Sequence, residues 1–121
     1  MKVLPTNGIL FQSHLKELYK KGKIKVEYGL YGEKLTKKNV TDEHIKCRCY
    51  GGTNDEANIA LATNEANNRR GNKPISEFLT YEMLRNYLRQ FKDVKAEGFD
   101  GNAYIEKIRK TLRSVFNDEA N

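Results

Sequence analysis

Cysteine, proline and histidine are scarce in this chain, and each scarcity removes a class of protein. Two cysteines, Cys47 and Cys49, are too few for a disulfide scaffold or a four-thiolate zinc site. They read as two small loop residues, with metal or redox chemistry as the alternative. Pro5 and Pro74 are the only prolines, and neither an internal repeat nor a low-complexity linker divides the chain, so its 121 residues read as a single domain, 1–121. No apolar run approaches the roughly 20 residues of a membrane span. The opening MKVLPTNGILF also lacks the long apolar core of a secretory signal. No membrane association and a cytoplasmic location are therefore expected. With charged residues at 31% and hydrophobic ones at 38%, the composition is that of a soluble globular protein.

Positive charge is what the chain has in excess, and it is unevenly placed. Residues 1–75 hold 14 Lys and Arg against 8 Asp and Glu, whereas residues 76–121 hold 8 of each, so the net +6 lies wholly in the first part. Such a bias is the footprint of a surface that meets nucleic acid. The plainer alternative is a solvated basic face.

Pro5 and the Asn7-Gly8 turn signal predict an extended stretch over the first eleven residues. Ser13 can cap a helix through Lys20 or Lys21 that Gly22 ends, with Leu15, Leu18 and Tyr19 on one face. His14 has no acid beside it and reads as a surface residue. Partial alternation of Ile24, Val26 and Tyr28 predicts a strand over residues 23–31, with a second over residues 40–45, and the two would form a hairpin. Residues 46–62 read as an irregular loop that Ile59, Ala60, Leu61 and Ala62 pin to the core. Thr63 is a good N-cap for a helix to about Arg70 that Gly71 closes. Apolar residues at helical spacing then predict a helix from Ser76 or Thr80 to about Lys92, and a last one from about Asn102 to Phe116.

Residues 42–73, DEHIKCRCYGGTNDEANIALATNEANNRRGNK, carry the chemistry. An acid precedes a histidine (Glu43, His44), a Gly-Gly turn follows, and Asn58 and Asn67 lie 14 and then 9 positions further on. This order and spacing resembles the HNH, or ββα-metal, endonucleases, in a His-Asn-Asn variant. The resemblance covers about a quarter of the chain. It implies an α+β fold: a ββα-metal finger with a short β-hairpin over about 23–73, braced by an N-terminal helix and by C-terminal helices over about 76–117. Where many members carry zinc-binding Cys pairs, this chain has VEYGLYG, so a small phage-type member without structural zinc is implied.

An imidazole, with an ordinary pKa of about 6.5, is mostly neutral near pH 7 and suits the task of taking a proton from water. By resemblance His44 is the general base, with Asn58 the second member of the catalytic set. An asparagine amide both donates and accepts, so Asn58 can hold backbone on two sides and support His44. Glu43, on the opposite strand face from His44, and Asn67 would hold one Mg²⁺ or Mn²⁺ ion, oxygen donors being suited to such cations. Asp42 could share that task. Lys46, Arg48, Arg69, Arg70 and Lys73 are the candidate phosphate contacts. The implied function is a metal-dependent DNA endonuclease or nickase, acting as monomer or homodimer. The alternative is a catalytically silent HNH-like module that binds DNA or protein, as a phage-encoded inhibitor would.

Overall fold

Ser13, Thr63 and Thr80 each begin a helix for the same reason: the side-chain oxygen accepts from the backbone N–H three residues on, at Lys16, Ala66 and Met83. In this computed structural model, which describes residues 11–120, the elements are α1 (His14–Lys20), β1 (Val40–His44), β2 (Ile59–Thr63), α2 (Asn64–Arg70), α3 (Tyr81–Arg89), β3 (Lys95–Ala96), β4 (Phe99–Asp100) and α4 (Gly101–Ala120). Single 3-10 turns lie at Arg48–Tyr50, Glu56–Asn58 and Ile75–Glu77. The fold is α+β. Of the extended segment expected at the start, only Phe11 is among the described residues. None of the described helices is long and apolar enough to cross a membrane.

The sheet differs from the expected hairpin. β1 pairs antiparallel with β2, Val40 opposite Thr63 and His44 opposite Ile59, so the second strand is the stretch read as a loop. Residues 23–31 contribute only a bridge between Tyr28 and Lys34. The cause is burial. All five residues of β2 are buried, which leaves no alternation to read, whereas Ile24 and Val26 are separate buried pegs of an irregular segment. That segment still touches the sheet, through Leu30 N–H donating to the Leu61 carbonyl at 2.8 Å. The approach needs Gly29, where a Cβ would lie 3.0 Å from both Ala62 Cα and the Leu61 oxygen.

One hydrophobic cluster runs from Leu15 and Leu18 of α1 through Leu61 of β2 to Ile108, Leu112 and Val115 of α4. Within it Tyr87, Phe91, Phe99 and Tyr104 form an aromatic group with edge-on and tilted contacts. The two tyrosines also carry a polar chain. Leu61 N–H donates to Tyr87 Oη at 2.9 Å, the two hydroxyls lie 2.9 Å apart, and Tyr104 donates to the Ile59 carbonyl at 2.7 Å. The Leu61 N–H and the Ile59 carbonyl, which β1 does not pair, are thus satisfied by side chains from α3 and α4.

Candidate active site

Strand alternation decides which side chains of β1 face out. Glu43 is buried, and His44, one residue on, is partly exposed. The His44 Nε2 lies 2.7 Å from Oδ1 of Asn54, while the Phe11 ring, 6.2 Å away between centroids, lies against the imidazole. An amide oxygen only accepts, so in this contact Nε2 is the donor and Nδ1 makes no hydrogen bond among the described residues. Asn54 was not among the residues singled out from sequence. It lies in a turn rich in Asn, Asp and Gly, where another asparagine carries no distinguishing signal.

The loop between the strands is held by Asn58. Its Nδ2 donates to the carbonyls of Lys46 at 3.1 Å and Thr53 at 2.8 Å, and its Oδ1 accepts from Lys46 N–H at 2.8 Å. Thr53 precedes Asn54, so this buried amide fixes the turn that presents Asn54 to His44. Gly52 permits the closure: a Cβ there would stand 1.8 Å from the Lys46 carbonyl oxygen. Asn67, on α2, reaches back to β1, donating from Nδ2 to Thr41 Oγ1 and to the Asp42 carbonyl, both at 3.1 Å. Its Oδ1 takes no hydrogen bond among the described residues. Cys47 and Cys49, read as two separate small residues, are paired with each other across the 3-10 turn.

Two of the expected roles need correction. Glu43 was expected to hold a cation with Asn67, but the residue is 3% exposed and its Oε2 accepts from the Tyr31 hydroxyl and from Arg70 Nη1. Burial pushes this carboxyl up from its ordinary range, while Tyr31 and Arg70 pull the other way. Asp42 offers no substitute, since its two oxygens accept from the Ser13 hydroxyl and backbone N–H. Among the described residues no three His, Cys, Asp or Glu side chains converge as a metal site. Of the expected donors, then, Asn67 keeps its Oδ1 and Glu43 its Oε1 without a hydrogen bond among the described residues, but Glu43 is buried against Arg70.

Arg70 was expected to hold phosphate. It is 3% exposed, and its guanidinium donates to the carbonyls of Lys73, His44 and Ile45 at 2.8, 2.9 and 3.1 Å besides Glu43 at 3.2 Å. Arg70 is therefore an internal rivet between the end of α2 and the end of β1. Of the other candidates, Arg69 is engaged with Glu33 at 2.8 Å. That pairing, after the Thr63 hydroxyl, holds the Glu33 carboxyl below its usual range. Lys73 Nζ lies over the Phe78 ring at 5.6 Å. Lys46 and Arg48 are exposed.

Comparison of the chain with family models, with curated proteins and with solved structures gives no match.

Proposed function

We propose that the chain is a DNA phosphodiester hydrolase of the HNH type, an endonuclease or nickase with His44 as general base. The observation that carries the reading is the His44 to Asn54 contact of 2.7 Å. It supports an imidazole whose Nδ1 lone pair is directed by a neighbour, on a partly exposed strand end. In this reading Nδ1 takes a proton from water, the water oxygen attacks phosphorus, and the bond to the leaving oxygen breaks. Asn54 holds the tautomer and Asn58 holds Asn54. The β1, β2, α2 order, with Asn67 lying against β1, is compatible with a ββα-metal finger. One Mg²⁺ or Mn²⁺ ion belongs to the reading by resemblance, where it would neutralise charge on the leaving oxygen; no step here depends on it.

The burial of Glu43 against Arg70 favours a second reading, a silent module that keeps the scaffold and binds DNA or protein. Supercoiled plasmid incubated with Mg²⁺ or Mn²⁺, with EDTA as control, separates the two. Nicking by the wild type, lost by a factor of about 10² or more in His44→Ala, is the expected result. No nicking in either metal, or equal nicking by the variant, overturns the catalytic reading. Cleavage that persists in EDTA removes the ion.

A further inference from the structure

Residues 76–121 hold equal numbers of acidic and basic side chains, but the two signs are not mixed evenly in space. Four of the eight acids are occupied away from α3. Glu119 accepts from the backbone N–H groups of Ile75 and Ser76, Asp100 caps the start of α4, Asp93 accepts from Asn102, and Glu97 meets Lys23. Between α3 and α4 runs an open groove of about 650 Å³. Arg85, Arg89 and Lys92 line one wall, Arg109 the other, and Glu106 is the only acid in the lining.

Four cations therefore face one carboxylate. Arg85 and Lys92 meet no acid among the described residues, and Arg89 meets only the neutral amide of Asn86 at 3.2 Å. Arg109 approaches Glu106 at 3.8 Å, with both side chains at least half exposed, a geometry that contributes little. Arg85 and Arg89 are one helical turn apart, with Arg109 across from them, so the groove suits a ligand that repeats its negative charge rather than a single anion. Three of the four cations are guanidinium forks, which match phosphate oxygens in pairs.

We propose that the groove between α3 and α4 binds the phosphate backbone of duplex DNA and shares no residue with the His44 site. The proposal rests on the nucleic-acid part of the function above but not on catalysis. It also answers a difficulty there, since Arg69 and Arg70, two of the five expected phosphate contacts, are engaged with Glu33 and Glu43.

The test is fluorescence anisotropy of a labelled duplex in EDTA over a series of salt concentrations. Arg85→Gln with Arg89→Gln should weaken binding by about tenfold and lower the slope of log K against log salt by about two, one for each lost phosphate contact. Arg85→Glu with Arg89→Glu should weaken it further. Lys92→Gln, beyond the end of α3, carries the test if the double variants melt below wild type, and should remove about one unit of slope. Unchanged affinity and slope, or a wild type that fails to bind duplex, overturn the proposal. So does an effect confined to single-stranded RNA or to an acidic peptide competitor. A wild type that binds through this groove yet cuts nothing loses the catalytic reading and keeps this one.

Discussion

Arg70 and Glu43 form an ion pair at 3.2 Å with both side chains 4% exposed, and the same guanidinium nitrogen also donates to the carbonyl of His44 at 2.9 Å. The residue next to the proposed base is thus tied to the helix that carries Asn67.

Removing one member of a buried pair leaves a charge without a partner, at a cost of about 3–5 kcal/mol. Arg70→Ala should lose about that much stability in urea titration, and with it cleavage. A variant that unfolds like wild type and merely binds DNA less tightly would return Arg70 to the surface role that its sequence position suggests.

Asn54→Ala and Asn54→Asp separate positioning from stability. The alanine variant should cut several-fold more slowly with an unchanged melting temperature. The aspartate variant should keep the ring oriented but favour the imidazolium through its negative charge, moving the rising limb of the pH–rate profile to higher pH. Profiles that superimpose on wild type in both variants would detach Asn54 from His44.

Asn58→Ala strands the Lys46 N–H and two carbonyls in a closed turn, an expected loss of about 1–3 kcal/mol. Asn67→Ala removes two donations near the surface and should cost less. Its larger effect should be on the Mn²⁺ concentration needed for half-maximal cleavage, if Asn67 Oδ1 meets the ion. Melting curves ranked the other way would exchange the two roles.

Burial raises Tyr31, Tyr87 and Tyr104 well above the ordinary phenol value, and in Tyr31 the Glu43 carboxylate adds to the rise. An acid whose proton is held more tightly in the folded state leaves stability unchanged below its unfolded pKa, about 10. Above that pH the unfolded chain alone releases the proton, and stability falls as pH rises. Tyrosinate absorbance should therefore appear together with unfolding. Ionisation of all seven tyrosines in a chain that keeps its native circular dichroism would contradict the burial of these three.

The helix starts at Ser13 and Thr63 were legible, and Thr80 was one of two candidates beside Ser76, because a cap is a local device that needs only the three residues that follow. The amide chemistry of Asn58, able to hold backbone on two sides, was likewise local. β2 was not legible as a strand, since burial of every residue erases the period of two. Arg70 was not legible as an internal residue, because Arg69 and Arg70 differ only in which side of the last turn each occupies. One faces Glu33 at the surface, and the other faces β1. The charge count misled in the same way: equal numbers in the last 46 residues concealed four cations meeting across one groove.

The hydroxyl chain from Leu61 through Tyr87 and Tyr104 to Ile59 makes the sheet dependent on both later helices. A fragment ending near residue 76 would keep the acid-His-Asn-Asn residues but leave the Leu61 N–H and the Ile59 carbonyl on the outer side of β2 open, a template for another strand. Such a minimal fragment should self-associate rather than fold as a small independent unit. Grafting the motif onto another scaffold would therefore require two hydroxyls, or their equivalents, on whatever replaces the helices.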